Sequence, residues 1–305
     1  MKHIIFLLAA VVSIVELKGQ AYIPKFDVQG HRGARGLMPE NTIPAFLLAL
    51  DSGVTTLEMD LAITADRQIV VSHEPWMSAA ICLDSAGNEI REKDEKRLNI
   101  YKLTYAEVRQ FDCGTKVHER FPEQQKMAVT KPLLLDVILA AERHIKNKTL
   151  YEVDYNIEIK SDPSGDNKFH PTPAEFSDLV YELIDQYLPW DRIVIQSFDF
   201  RVLKYWHQKY PHVRLAALVE NTGGIDNNIK KLGFRPSIYS PYYKLLSKAD
   251  IKYAHDLKMR VIPWTVNEPK EMEELKGWGA DGIITDYPDR AKKLGYTLKF
   301  QNVKK

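Results

Sequence analysis

The sequence has little cysteine and almost no net charge, and each shortage argues against a class of protein. Its two cysteines, Cys82 and Cys113, lack the Cys-x-x-Cys or Cys/His spacing that indicates zinc. They could pair in an oxidising compartment or stay as two buried thiols, and the sequence fits both interpretations. The formal net charge of +1 argues against a nucleic-acid-binding protein, because such proteins usually carry a basic stripe. An anionic small substrate is not excluded, since charges near a pocket matter more than their sum.

The sequence also lacks an apolar run that would span a bilayer comfortably, because about 20 apolar residues are normally needed. The run Ile4–Val15 follows a short basic start and precedes small and polar residues. This order is typical of a signal peptide, which we predict to cover residues 1–20. An uncleaved membrane anchor is the alternative. We expect an exported protein, periplasmic or secreted, with no stable membrane insertion after cleavage.

After this segment, short β-branched runs alternate with amphipathic stretches whose apolar residues recur at the helical period. About eight strand–helix repeats predict an α/β fold, a (β/α)₈ TIM barrel, in one domain over residues 21–305. A doubly wound sheet would usually carry a Gly-rich loop that Gly30-His31-Arg32-Gly33 does not match. The predicted strands are Phe26–Gly30, Thr55–Leu61, Tyr155–Lys160, Arg192–Ser197, Val213–Val219, Ser237–Ser240, Arg260–Thr265 and Asp281–Thr285. The predicted helices are Thr42–Asp51, Leu133–Ile145, Ala174–Tyr187, Phe200–Lys209, Lys248–Leu257 and Pro269–Trp278.

Residues 76–130 interrupt the alternation, because they are polar, charged and irregular. One short helix is expected within Ile100–Phe111, with Thr104 as its N-cap. We predict an insertion after the second strand region and not a second domain. Insertions at the C-terminal ends of barrel strands commonly shape the substrate entrance.

Three carboxylates on two predicted strands could bind a cation. Glu58 and Asp60 are two residues apart, so both point to the same face of their strand, and Glu158 would join them if its strand were a neighbour. Three oxygen donors suit one hard dication, Mg²⁺ or Ca²⁺. Lys160 beside them would be a natural contact for a phosphate. The alternatives are an edge strand with a solvated acidic face, carboxylates paired with arginine, or a Lys160–carboxylate ion pair inside the barrel.

Two histidines follow predicted strands. His31 and Arg32 leave the first strand where catalytic groups of barrels collect, and His73 leaves the short run Gln68–Ser72 just after the acidic pair. Histidine exchanges protons near neutral pH, and arginine offers a planar fork for phosphate oxygens. A lone histidine in a loop is more often structural, but the combination predicts acid–base cleavage of a phosphodiester. In Pro39-Glu40-Asn41-Thr42, Asn41 is the expected N-cap of the first helix, a purely structural interpretation.

Taken in order, these residues resemble the glycerophosphodiester phosphodiesterase family. The ordered set runs from residue 28 to residue 288, nearly the whole predicted mature chain. The motifs that carry the resemblance are Gly30-His31-Arg32-Gly33, Pro39-Glu40-Asn41-Thr42, Glu58-Met59-Asp60, Ser72-His73, Glu158-Ile159-Lys160, Gln196-Ser197-Phe198, Pro263-Trp264-Thr265-Val266-Asn267 and Asp281-Gly282-Ile283-Ile284-Thr285-Asp286-Tyr287-Pro288.

The resemblance implies a barrel fold, often with an insertion after the second histidine, and one divalent cation. In one departure, Glu74 follows His73 where the family usually has Asp, which affects how His73 is positioned. The implied site residues are the metal ligands Glu58, Asp60 and Glu158, the catalytic histidines His31 and His73, the phosphate contacts Arg32 and Lys160, and Trp264 on the glycerol side of the pocket.

The implied activity is metal-dependent hydrolysis of a small glycerophosphodiester to sn-glycerol 3-phosphate and an alcohol. The cation would lower the pKa of the glycerol 2-hydroxyl. His31 would act as base and His73 as acid, or the reverse, through a cyclic phosphate. One alternative is a related phospholipase or lyase acting on a lipid phosphodiester, with exposed apolar residues such as Trp76, Met77 and Ile81 around the insertion. The other is a non-catalytic binding barrel.

Overall fold

Eight parallel strands form the wall of a barrel in the computed structural model, which describes residues 25–299. The predicted signal peptide, residues 1–20, lies outside the described residues. A further strand, β3, is off the barrel and pairs antiparallel with β2. The strands are β1 Asp27–Gly30, β2 Thr56–Ile63, β3 Ile69–Val71, β4 Asp154–Ile159, β5 Ile193–Ser197, β6 Arg214–Val219, β7 Ile238–Pro241, β8 Arg260–Val261 and β9 Gly282–Thr285. Around the wall they follow the order β8-β7-β6-β5-β4-β2-β1-β9.

Backbone hydrogen bonds between the chain after β8 and strand β9 close the barrel. The amide of Ile284 donates to the carbonyl of Pro263 at 2.9 Å, and the amide of Val266 donates to the carbonyl of Ile284 at 2.9 Å. The regular part of β8 is therefore shorter than the predicted Arg260–Thr265, although the pairing continues beyond it. The TIM-barrel prediction is confirmed.

Helices pack around the barrel and bury its outward side chains. The six predicted helices are present, each within two residues of its expected bounds. Two more were not predicted, because α6 has sparse apolar residues and α9 is only 6 residues long. The helices are α1 Ile43–Ser52, α2 Tyr105–Val108, α3 Leu134–His144, α4 Pro173–Tyr187, α5 Phe200–Lys209, α6 Gly224–Leu232, α7 Lys248–Asp256, α8 Pro269–Trp278 and α9 Pro288–Lys293. Short 3-10 helices span Glu92–Arg97, Ile100–Lys102, Trp190–Arg192 and Tyr243–Leu245, and one π-helical turn spans Ile145–Thr149.

None of the helices within residues 25–299 is long and apolar enough to cross a membrane. The expected N-cap of α1 is wrong by one residue. Thr42 caps this helix, because its hydroxyl accepts a hydrogen bond from the amide of Ala45. The side chain of Asn41 is instead directed to strand β2, where it contacts Asp60.

The barrel interior has a polar half and an apolar half. On β2, Leu57, Met59 and Leu61 belong to the main core. Thr56, Glu58 and Asp60, which alternate with them, place polar side chains on the other face of the strand, as its two-residue period predicts. Across the barrel, β5 to β9 contribute a separate apolar cluster made of Val194, Ala216, Ile238, Ile262 and Ile284. Polar chemistry is therefore concentrated on the side of β1, β2 and β4.

The insertion packs onto the barrel through a small core of its own. Met77, Ile100 and Val108 form this core together with Ala62 and Val70 of β2 and β3. The cysteines, which the sequence left open, form the disulfide Cys82–Cys113 within this core. Thr104 caps helix α2 through a capping box with Glu107, as predicted.

Candidate active site

A cavity of about 330 Å³ opens at the C-terminal end of the barrel strands. Most of the site residues implied by the sequence line it, whereas Asp60 and Lys160 lie just behind the lining through their contacts with Arg32 and Glu158. Insertion residue Arg120, which the sequence did not single out, also lines the cavity. The implied residues in the lining are His31, Arg32, Glu58, His73, Glu158 and Trp264.

The three carboxylates meet because their strands are neighbours. Strand β2 pairs in parallel with β4, and Asp60 stands opposite Glu158 in the register. One oxygen from each of Glu58, Asp60 and Glu158 lies within 4.8 Å of the others, and all three residues are buried. Strand β2 is buried along its whole length, so the edge-strand alternative is wrong.

Neighbouring groups hold the carboxylates in place. Gln196 Nε2 donates to Glu58 Oε1 at 2.7 Å, and the backbone amide of Arg32 donates to Glu58 Oε2 at 2.8 Å. Asn41 Nδ2 donates to Asp60 Oδ2 at 2.8 Å. The other oxygen of Asp60, Oδ1, is buried and has no hydrogen-bond partner among the described residues. A buried anionic oxygen without a donor is costly unless a cation neutralises it.

The cluster holds more negative charge than its own cations offset. Burial raises the pKa of Glu58 well above its ordinary value, and the carboxylates of Asp60 and Glu158 raise it further. Burial also raises the pKa of Glu158 to about 7, although Lys160 opposes the shift from 2.9 Å. The Lys160–Glu158 ion pair that the sequence offered as an alternative is therefore present. Lys160 Nζ lies 3.9 Å from Oδ1 of Asp60, too far for a hydrogen bond, so two cations, Lys160 and Arg32, face three buried carboxylates.

Asp286 fixes the ring of His31. His31 Nδ1 lies 2.7 Å from Asp286 Oδ1. Arg35 Nε donates to the same oxygen at 2.7 Å, and Asn267 Nδ2 donates to Asp286 Oδ2 at 2.8 Å. Burial, aided by Arg35 and opposed by Asp286, lowers the pKa of His31 to about 4. The imidazole is thus neutral at pH 7 and oriented through Nδ1.

His73 is oriented by the residue that departs from the family pattern. Its Nδ1 lies 2.6 Å from Glu74 Oε1, so the longer glutamate still reaches the ring. The backbone just before His73 is fixed, because the amide of Ser72 donates to the carbonyl of Asp60 at 2.8 Å. The buried Lys131 Nζ donates to the Ser72 hydroxyl at 2.8 Å. Burial holds the pKa of His73 below its ordinary value, although the Asp60 carboxylate opposes this shift.

Residues 39–42 contact the site as well as the start of helix α1. Arg32 Nη1 donates to Glu40 Oε1 at 2.8 Å, and its Nε lies 3.3 Å from Asp60 Oδ2. Arg32 has a φ of 52°, a region that residues other than glycine rarely occupy and that persists where surrounding contacts hold it. Glu40 therefore positions Arg32, the candidate phosphate contact, and Asn41 positions the carboxylate of Asp60.

Aromatic side chains form the wall opposite the carboxylates. The indole Nε1 of Trp264 donates to the carbonyl of Ser240 at 2.9 Å. The ring of Phe198 meets Trp264 edge to face at a centroid distance of 5.3 Å, and the ring of Tyr242 lies 5.5 Å away. This wall offers an apolar surface to the carbon skeleton of a substrate, while the opposite wall offers charge.

Several orienting residues could have been found from the quoted motifs. Gln196, Asn267 and Asp286 belong to motifs that carried the resemblance, yet no role followed for them from the sequence. Gln196 contacts Glu58 and Asp286 contacts His31, each far away in the chain, while Asn267 holds Asp286. Arg35 had no motif signal.

Comparison with known proteins gives a consistent result. The profile of the glycerophosphoryl diester phosphodiesterase family matches residues 31–290. A glycerophosphodiester phosphodiesterase from Bacillus altitudinis is 29% identical over 273 residues, covering 88% of this chain and 98% of that protein. A solved structure from Silicibacter pomeroyi DSS-3, named for the same family, has a TM-score of 0.78 at 30% identity, covering 90% of this chain and 94% of that one. The structure of an Oleispira antarctica phosphodiesterase in complex with the product sn-glycerol-3-phosphate has a TM-score of 0.69 at 20% identity, covering 88% and 95%.

Proposed function

Because this chain belongs to the glycerophosphoryl diester phosphodiesterase family, we propose that it hydrolyses glycerophosphodiesters to sn-glycerol 3-phosphate and an alcohol. The observation that carries the proposal is the meeting of three buried carboxylates and two oriented imidazoles in one cavity. The relative from Bacillus altitudinis carries the same activity in its name, and the Oleispira antarctica enzyme was solved with the corresponding product.

The carboxylates fit one divalent cation, Mg²⁺ or Ca²⁺. Glu58, Asp60 and Glu158 are hard oxygen donors, the type that both ions prefer. The buried Oδ1 of Asp60, which has no donor among residues 25–299, and the raised pKa of Glu58 both indicate a missing positive charge. When bound, a dication would neutralise charge on the phosphate and acidify a nearby hydroxyl.

The histidines would move the protons. With Nδ1 held by Asp286, His31 would take a proton from the glycerol 2-hydroxyl through Nε2. The hydroxyl oxygen forms a bond to phosphorus, the bond to the alcohol oxygen breaks, and His73 would give that oxygen a proton. Water then opens the cyclic phosphate with the two roles reversed. The opposite assignment of base and acid uses the same two residues.

Arg32 and Lys160 would stabilise the phosphoryl oxygens as negative charge develops on them. Both cations are held near the cluster, Arg32 by Glu40 and Lys160 by Glu158. Trp264 would pack against the carbon skeleton of the glycerol. A small polar substrate suits this cavity, because its charged wall and its aromatic wall face each other.

Phosphorus NMR of the purified protein with glycerophosphocholine tests the proposal. We expect the phosphodiester signal to be replaced by that of sn-glycerol 3-phosphate with Mg²⁺ or Ca²⁺, and no conversion with EDTA. A cyclic phosphate that accumulates as the end product would instead identify a lyase. Binding of glycerophosphocholine without conversion would identify a binding barrel.

A lipid phosphodiester is the second candidate, and the insertion gives it limited support. Met77, one of the residues that this alternative would expose, is fully buried in the insertion core. Val117 is 54% exposed and Met127 is 37% exposed. Two scattered apolar side chains do not make a membrane-binding patch. The same NMR assay with lysophosphatidylcholine micelles separates this candidate from a deacylated substrate.

We also propose that the protein is exported, periplasmic or secreted, after removal of residues 1–20. The disulfide Cys82–Cys113 supports export, because disulfides persist in oxidising compartments and are rare in the cytosol. N-terminal sequencing of the secreted or periplasmic fraction should give a chain that starts near residue 21. A full-length chain confined to the cytosol would contradict the proposal.

A further inference from the structure

Among the described residues, Arg120 is the one arginine lining the active-site cavity that forms no ion pair with a carboxylate. Arg32 is paired with Glu40, Arg35 with Asp286, and Lys160, behind the lining, with Glu158. Among residues 25–299, no carboxylate oxygen lies within 4.0 Å of the Arg120 guanidinium. Arg120 also lines a second cavity of about 610 Å³, which is formed almost entirely by residues of the insertion. It therefore stands where the two cavities meet.

The insertion holds Arg120 at this position. The next residue, Phe121, is buried, and its ring centroid lies 4.7 Å from the Arg35 guanidinium carbon. Gln124 Nε2 donates to the carbonyls of Arg35 and Met38 at 2.8 and 2.9 Å. The backbone around Arg120 is thus anchored to the loop after β1. The exposed side chain can reach an anion without moving the chain.

From these contacts we propose that Arg120 is a substrate-binding residue that captures the phosphate anion at the cavity mouth. The inference rests on the proposed function for its substrate, but it concerns a residue that the insertion supplies. A guanidinium already paired with carboxylates must give up those partners to bind phosphate. Arg120 has no carboxylate partner among residues 25–299, and its guanidinium carbon lies 5.5 Å from the centroid of the Phe121 ring. Every glycerophosphodiester carries the phosphate, so Arg120 acts on all head groups alike.

The test compares Arg120→Gln with Arg120→Lys and with the control Arg109→Gln, an exposed arginine of the same insertion. In the metal-loaded enzyme, we expect Arg120→Gln to raise KM for glycerophosphocholine and for glycerophosphoglycerol by the same factor, roughly five- to twentyfold, with kcat within about twofold. Arg120→Lys should recover part of the loss. The effect should shrink at high salt, because an exposed charge is screened.

Calorimetric titration with sn-glycerol 3-phosphate measures product binding, so it tests the role of Arg120 independently of turnover. We expect weaker binding by the same factor in Arg120→Gln and unchanged binding in Arg109→Gln. Unchanged KM and product affinity in Arg120→Gln would overturn the inference while leaving the proposed function intact. A loss confined to one head group would also overturn it. If the wild-type protein does not hydrolyse the substrate but the product titration shows the expected difference, the proposed function is wrong and the phosphate-binding role of Arg120 is supported.

Discussion

At the scale of single residues, the two histidines of the cavity are held in different ways. His31 depends on Asp286, which lies 255 positions later in the chain, whereas His73 depends on its neighbour Glu74. A carboxylate on Nδ1 fixes the ring and leaves Nε2 for proton transfer. In both cases a carboxylate contacts Nδ1, so both rings can exchange a proton through Nε2.

Replacing either histidine with alanine should remove turnover. We expect His31→Ala and His73→Ala to lower kcat by about 10²- to 10⁴-fold, the usual contribution of a general acid or base. Neither residue is a candidate ligand, so calorimetry should give near-normal affinity for Mg²⁺ or Ca²⁺. If either variant turned over at nearly the wild-type rate, the assignment of that histidine would be wrong.

The depressed pKa of His31 predicts how stability depends on pH. Burial lowers the pKa of His31 from an unfolded value near 6.5 to about 4. Between these two pH values the unfolded chain binds a proton at His31, whereas the folded protein does not. The free energy of unfolding is therefore highest above pH ~6.5 with respect to this group, and it decreases as pH falls towards ~4. The loss amounts to about 3 kcal/mol.

Urea unfolding of the metal-free protein in EDTA measures this effect. Between pH 7 and pH 4.5, His31→Gln should lose less free energy of unfolding than the wild-type protein. His212→Gln, which removes an exposed histidine, is the matched control. Equal pH dependence in wild type and His31→Gln would refute the pKa shift.

Single residues also mark the limit of prediction from the sequence. The two-residue period of a strand was enough to put Glu58 and Asp60 on one face, and strand order then brings Glu158 to them. Asn41 could not be predicted in the same way. Its side chain was expected to cap a helix, but a φ of 56° directs it to Asp60 across 19 residues. Loop conformations of this kind have no periodic signal in a sequence.

At the scale of elements, the disulfide Cys82–Cys113 joins two segments of the insertion within its small core. It closes a loop with a sequence separation of 31, and loop-closure entropy gives such a link roughly 3 to 4 kcal/mol. We expect the double variant Cys82→Ala/Cys113→Ala to lose about this free energy of unfolding in urea. The wild-type protein in dithiothreitol should lose a similar amount. An unchanged unfolding midpoint on reduction would contradict the prediction.

Elements were easy to predict where their pattern was regular and harder where it was not. Strands β5 and β9 are buried along their whole length, and they appear in the sequence as short β-branched runs. Helix α6 was missed because Ile225, Ile229 and Leu232 are its only apolar residues, and it begins with a glycine. The insertion could be recognised as irregular, but its contacts with β2 and β3 depend on packing that no local pattern shows.

At the scale of the whole molecule, the barrel divides its interior between an apolar half and a polar half. The apolar cluster of β5 to β9 stabilises the structure, while the polar half collects groups that are costly to bury. Such groups are retained where a ligand or ion compensates them. The proposed reaction therefore depends on one dication held between strands β2 and β4.

Anomalous diffraction from crystals soaked in Mn²⁺ tests this claim most directly, because manganese binds the same oxygen ligands as magnesium. The account predicts one strong peak roughly 2.0–2.6 Å from oxygens of Glu58, Asp60 and Glu158. The peak should be absent in Glu58→Gln crystals. No peak among these carboxylates, in a preparation that hydrolyses glycerophosphocholine, would contradict the account.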